Sequence, residues 1–215
     1  MALVMVDLDN TLVNRAQAVE RWADAFVEQQ GGSADDVRWI IAADRDGLEP
    51  RESFAAAAIH RTKAPLRVDD VVEQLRHHLI SADDLTPGVL HALEALRSHG
   101  HRVVCVTNGT TTGQQATLAA TRLTDAFDAV PISEQVGCKK PSPEIFHLAA
   151  STVGATLEGS WMVGDSPTSD VVGAAKLGCA TAWLARGRVW PSSLEPPTAT
   201  VEDPAAALRL VLGRL

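Results

Sequence analysis

The stretch Leu3-Val4-Met5-Val6-Asp7-Leu8-Asp9-Asn10-Thr11 decides how the rest of this chain is read. Four apolar residues run straight into two aspartates one residue apart. An uncharged run that short predicts a strand buried on both faces, as in a parallel sheet. A buried strand has no place for carboxylates, so Asp7 and Asp9 are expected at its carboxyl end, where open α/β sheets hold their ligands. Residues i and i+2 of an extended chain face one side. Two like charges so placed repel by about 4 kcal/mol at ~4 Å when the effective dielectric is near 20. A divalent metal is the simplest compensation. The plain alternative is a pair of solvated aspartates in a turn.

Beyond Thr11 the period changes. Val19, Trp22, Ala23 and Phe26 have the spacing of an amphipathic helix, and Gly31-Gly32 ends it. Ser33 with Asp36 reads as a capping box for a second helix carrying Val37, Ile40 and Ile41. Asp44 to Arg51 reads as a charged loop. Phe54, Ala57 and Ala58 begin a third helix, and Val68, Val71 or Val72, Leu75 and Leu79 mark a fourth. Residues 14–84 therefore read as helical throughout, with no strand signal.

An α/β rhythm follows. Thr86-Pro87 predicts a helix start, with Val89, Leu90, Leu93 and Leu96 behind it and Gly100 closing it. Val103 to Val106 predicts the second strand, ending at Thr107-Asn108-Gly109, with a helix over about 112–122 after it. Ala129 to Ile132 predicts a short third strand, and Ser142-Pro143 a helix. Trp161 to Val163 predicts a fourth strand ending at Gly164-Asp165, with a helix from there to Gly178. Ala180 to Leu184 predicts a fifth strand, Pro191 to Pro197 a loop, Ala199 to Val201 a last strand, and Asp203-Pro204 the final helix. Strands alternating with helices imply a parallel sheet with right-handed crossovers. The four-helix stretch is too long for a βα connection. The expected organisation is an α/β core with a Rossmann-like parallel sheet, residues 1–13 and 85–215, and an inserted small helical bundle, residues 14–84, that caps the strand ends.

Bulk properties narrow the partners. A net charge of −8 disfavours nucleic acid and anionic membranes. Aromatic residues are 4% with no Tyr, which leaves no base-stacking platform. No apolar run approaches the roughly 20 residues that span a bilayer, and no signal peptide is evident. Cys105, Cys138 and Cys179 are scattered and odd in number, as in the reduced thiols of a cytoplasmic protein.

Every predicted strand end carries polar chemistry. The first has Asp7 and Asp9, the second Thr107 and Asn108, and the fourth Asp165 with Asp170 five residues on. Lys139-Lys140-Pro141 precedes the helix at Pro143. Each has a bland reading alone: a strand terminus for Thr107, a solvated loop lysine for Lys140, turn and first-turn aspartates for the last pair. Neighbouring parallel strands converge at their ends, so all of them can meet in one crevice.

In their order these pieces resemble the four motifs of the haloacid-dehalogenase-like hydrolase superfamily. Asp7-Leu8-Asp9-Asn10-Thr11 resembles the first motif, Thr107 closing an apolar strand the second, Lys140-Pro141 the third, and Gly164-Asp165 with Asp170 the fourth. The helical stretch stands where subfamily I carries its cap. The resemblance implies a phosphatase acting on a small phosphorylated metabolite. It makes Asp7 the nucleophile that forms an aspartyl-phosphate and Asp9 the general acid and base. Asp7, Asp9 through its backbone carbonyl, and Asp165 would be ligands of one Mg²⁺. Thr107 with the Asn108 or Gly109 amides would bind phosphate oxygens, Lys140 would stabilise the developing charge, and Asp170 would orient Lys140 or a metal-bound water. The dehalogenases of the superfamily lack an aspartate at the position of Asp9, which points away from a halide leaving group.

Arg15, Asp44, Arg45, Arg51 and Arg61 are candidates for substrate selection in the cap, with Arg45 and Arg51 foremost; the alternative for each is a solvated surface. Asp44 to Gly47 lacks the later ligands of a calcium loop. A sugar-phosphate mutase of the β-phosphoglucomutase kind, a receiver domain and a catalytically silent phospho-ligand binder are the rival readings. The receiver is disfavoured by the helical insert, and the silent binder by the complete motif set. A monomer or small homo-oligomer is expected.

Overall fold

Strand β1, Leu3–Val6, lies fully buried with a parallel neighbour on either side. Its partners are β2, Arg102–Cys105, and β3, Trp161–Gly164. β4, Ala180–Leu184, pairs with β3, and β5, Ala199–Val201, closes that edge. The order is β2-β1-β3-β4-β5, parallel throughout. The computed structural model describes residues 1–47 and 49–215, apart from the side chains of Asp46, Arg76, His77 and His78. Part of the charged loop expected over Asp44 to Arg51, at Asp46 and Leu48, thus falls outside the described residues.

A strand flanked on both edges has both faces to cover. Leu3 and Met5 point to a cluster with Val104, Met162, Ile145, Phe146, Ala149 and Ala174. Those last four come from helices α8, Pro143–Thr152, and α9, Gly173–Ala175. Val4 and Val6 face the other way and are equally buried. Helices α5, Val89–Ser98, and α10, Pro204–Leu212, pack on the sheet and on each other. Asp203 caps α10 by accepting from the Ala206 N–H at 2.6 Å, with Pro204 at the first helical position. Between β2 and α8 lie α6, Thr111–Ala120, and the short α7, Ser133–Val136.

The chain divides into two compact units, Met1–Val13 with Leu85–Leu215, and Asn14–Asp84. Within the first, Val13 and Leu85 form an antiparallel bridge, and the Thr86 N–H donates to Leu12 O at 3.1 Å. The second unit holds α1, Arg15–Gln29; α2, Ala34–Asp44; α3, Arg51–Thr62; and α4, Val68–His78. Its core gathers Val19, Ala23, Phe26, Ile40, Phe54, Ala58, Val71 and Leu75, with Trp22 stacked on Phe26 at 4.9 Å. The Ser33–Asp36 capping box forms, the Ser33 N–H donating to Asp36 Oδ2 at 2.9 Å. Asp44 is buried and takes both arms of the Arg15 guanidinium at 2.6 and 2.8 Å.

Three expectations are corrected. Residues 129–132 run beside β2 but are no strand: only isolated bridges join Val104 to Ala129 and Thr107 to Ile132. The Cys105 and Thr107 N–H groups donate to Ala129 and Pro131 carbonyls, and the rung between them would need an N–H from Pro131, which has none. Helix α5 starts at Val89 rather than Thr86, because Gly88 at φ +81° finishes a turn first. After Asp165 the chain makes a wide π-helical turn, Pro167–Val172, before the short α9. Such turns are rare and recur at functional sites.

Candidate active site

Asp7 directly follows β1, and its N–H still donates across the sheet to Val163 O at 2.9 Å. That bond fixes the residue at the strand's carboxyl end. Its carboxylate accepts from Thr11 Oγ1 at 2.9 Å on one oxygen and from Lys140 Nζ at 2.6 Å on the other. The same Nζ lies 2.7 Å from Asp170 Oδ1. All three side chains are buried, Lys140 to 2% exposure and Asp170 to 1%.

Lys140 comes from a loop, and Asn108 holds that loop in place. The Asn108 side-chain amide donates to Lys140 O at 3.0 Å and accepts from the Lys140 N–H at 2.9 Å. Burial opposes the ammonium charge, yet Asp170 and Asp7 outweigh it and raise Lys140 above its ordinary value. Burial pushes the Asp170 carboxyl up, with Asp7 adding to the push, although Lys140 pulls the other way.

Asp170 returns to this cluster through the π-helical turn, where its Oδ2 accepts from the Ser166 N–H at 3.0 Å. Gly164 leaves the room: a Cβ there would sit 2.4 Å from Asp170 Oδ2. Asp165 is buried at the end of β3. Oxygens of Asp7, Asp165 and Asp170 lie within 4.8 Å of one another.

This cluster fits a hard divalent cation. Asp7, Asp165 and Asp170 bring three carboxylates together, whereas Lys140 and Arg188, which touch all three, supply two positive charges. The donors are all carboxylate oxygens, the chemistry that suits Mg²⁺. The third carboxylate of the group is that of Asp170, whereas Asp9 was expected to join through its backbone carbonyl.

Asp9 meets a different partner. Gln114 Nε2 donates to Asp9 Oδ2 at 3.0 Å and to Thr107 Oγ1 at 2.5 Å. Thr107 is fully buried at the end of the β2 chain segment. The Gly109 N–H, expected to face phosphate, donates to Ser133 Oγ at 2.9 Å. Arg45 and Arg51 lie in the helical unit. Arg45 approaches Glu49 at 3.5 Å, and Arg51 donates to Leu75 O at 2.8 Å.

Thr11, Gln114 and Arg188 were not foreseen as working parts. Arg188 Nη2 donates to Asp165 Oδ2 at 3.1 Å and to Asp165 O at 2.7 Å. The strand-end rule that singled out Asp165 also covers the segment after Leu184, where Arg188 lies. Gln114 carries no such signal, since a glutamine on a helix is ordinary.

The pyrimidine 5'-nucleotidase YjjG of Escherichia coli is 38% identical over 112 residues, 51% of this chain and 49% of its own length. The phosphoglycolate phosphatase of Caulobacter vibrioides is 28% identical over 181 residues, covering 82% of this chain and 76% of its own. The chain spans about half the length of the first of these relatives. YfnB of Bacillus subtilis, solved bound to magnesium, superimposes with a TM-score of 0.75 over 98% of each chain at 20% identity, a likeness of fold. The family model "haloacid dehalogenase-like hydrolase" matches residues 1–178, taking in β1, Lys140, Asp165 and Asp170, and the chain belongs to that family.

Proposed function

We propose that this protein is a Mg²⁺-dependent phosphatase that cleaves the phosphate monoester of a small metabolite through an aspartyl-phosphate on Asp7. The observation that carries the reading is Lys140 wedged at 2.6 and 2.7 Å between Asp7 and Asp170, with Asp165 alongside. That arrangement sets Asp7 against an ammonium group and fixes it at a strand end, where an in-line nucleophile is needed. Both relatives named above act on phosphate monoesters, which supports the same class.

Asp7 attacks phosphorus while the ester P–O bond breaks, and Asp9 gives its proton to the departing oxygen. Asp9 then takes a proton from the water that attacks the aspartyl-phosphate, releasing inorganic phosphate and restoring both carboxyl groups. Gln114 keeps Asp9 aimed, and Thr107 presents its hydroxyl beside it. Lys140 neutralises charge that gathers on the transferring group. Asp7, Asp165 and the Asp9 carbonyl would hold Mg²⁺, which would supply charge neutralisation for the phosphate oxygens. Arg45 and Arg51 are assigned to substrate choice.

The test is phosphate release from a panel of nucleotides, sugar phosphates, phosphoglycolate and p-nitrophenyl phosphate, with Mg²⁺ and with a chelator. Mg²⁺-dependent release, abolished in Asp7→Asn with its circular dichroism unchanged, is expected. Arg45→Ala and Arg51→Ala are expected to reorder the panel while sparing p-nitrophenyl phosphate. Turnover persisting in Asp7→Asn removes the nucleophile assignment. Isomerisation driven by a bisphosphate activator, without phosphate release, moves the protein to the mutases.

A further inference from the structure

The loop between β4 and β5 supports Asp165 from behind. Trp183, at 1% exposure in β4, donates its indole Nε1–H to Asp165 O at 2.9 Å. Arg188 donates to that same carbonyl at 2.7 Å and to the carboxylate at 3.1 Å, so it spans main chain and side chain of one residue. Its own position is fixed three ways. Nε donates to Ala185 O at 3.0 Å, Nη2 to Leu184 O at 3.1 Å, and the guanidinium lies 5.7 Å from the Trp183 ring centre. Trp190 meets Trp183 edge to face at 5.0 Å and donates to Leu194 O at 3.1 Å, tying the outer loop to the stack.

We infer that Arg188, seated on Trp183, is a positioning residue that sets the Mg²⁺ affinity of the site by fixing both the carbonyl and the carboxylate of Asp165. The inference rests on the metal-site reading proposed above. Mg²⁺ demands near-ideal octahedral geometry at 2.0–2.1 Å, so a carboxylate free to turn is a poor ligand. Groups that orient a ligand from outside typically change metal affinity 10–100-fold when removed. A guanidinium so near a cation site also repels the cation. Its side chain is 41% exposed, however, so solvent screens that charge, whereas hydrogen-bond direction is not screened. Orientation therefore outweighs repulsion. A lysine at this place keeps the charge but loses the Nε–H held by Ala185 O and the flat group that lies over Trp183.

The experiment is titration of the purified 215-residue chain with MgCl₂ by isothermal calorimetry, for wild type, Arg188→Lys, Arg188→Met and Trp183→Phe. Thermal midpoints and p-nitrophenyl phosphate kinetics are taken alongside. Both Arg188 variants are expected to bind Mg²⁺ at least tenfold more weakly, with kcat at saturating Mg²⁺ within about threefold of wild type. Trp183→Phe keeps the ring and loses the N–H, and a smaller weakening is expected. Arg188 variants that match wild-type affinity within twofold overturn the inference, whatever their midpoints. Tighter binding by Arg188→Met overturns it too, because Arg188 then acts as a competing charge. Wild type that binds no Mg²⁺ overturns both this inference and the metal-site reading beneath it, whereas binding with unaltered variants overturns this inference alone.

Discussion

Lys140 is the residue on which the other charges depend. It lies between Asp7 and Asp170 with almost no solvent contact. Removing one partner of a buried ion pair leaves uncompensated charge and typically costs 3–5 kcal/mol. Lys140→Met is therefore expected to lower unfolding stability by about that amount in urea titrations at pH 7, besides abolishing turnover. Recovery of part of the loss in the double variant Lys140→Met, Asp170→Asn is expected, since the second change removes a stranded charge. A loss under 1 kcal/mol would mean that water reaches the cluster and solvates it. Asp7 and Asp165 were legible because carboxylates at the ends of apolar strands are conspicuous in a sequence, and Asp170 through its place in the motif that follows Gly164. Lys140 was legible only through its neighbours in the motif. Gln114 was not, because what matters is its reach to Asp9 and Thr107 across a helix turn, and nothing in residue type records reach.

Two elements have ends that can be tested. The Asp36 carboxyl is held down from 3.8 to about 2 by the Ser33 backbone N–H, the Ser33 hydroxyl and Arg61. A value depressed in the folded chain stabilises fully above the unfolded value and is lost as pH falls through the folded one. Asp36→Ala is thus expected to lower the thermal midpoint by a constant amount above pH 5, with the gap from wild type closing between pH 4 and 2. A gap independent of pH would show that the cap works without its charge. At the end of β3, Gly164→Ala would drive a methyl group into Asp170, and overpacking of this kind typically costs 1–3 kcal/mol. Mg²⁺ affinity and stability are expected to fall together in that variant, read by calorimetry and by urea. Helix positions followed from period and caps, as at Ser33 and Asp203. The stretch 129–132 misled because its β-branched residues look like a strand, while pairing failed at one proline nitrogen. The π-helical turn after Asp165 gave no signal in residue type or spacing.

At the scale of the molecule, order in the sequence and order in space diverge. β1 lies inside the sheet although it comes first in the chain, so the fold class was readable from alternation while the strand order had to be seen. Mg²⁺ is expected to stabilise the whole chain by binding only its folded form, by about 2.7 kcal/mol at 100 times its dissociation constant. A rise in thermal midpoint with MgCl₂, reversed by chelator and missing in Asp165→Asn, is the outcome to look for. An equal rise in that variant would assign the effect to general salt.

The place of β1 also bears on how the protein is made. Its register partners Arg102 and Trp161 lie 99 and 157 residues downstream of Leu3 and Val4. A ribosome adding roughly 5–20 residues per second reaches the second partner only after about 8–31 s. During that interval the segment bearing the future nucleophile is an unpaired apolar tether, while residues 14–84, whose helices contact one another, are already out. β1 is thus a strand whose completion waits long, and a stalled nascent chain offers chaperones this apolar segment unpaired.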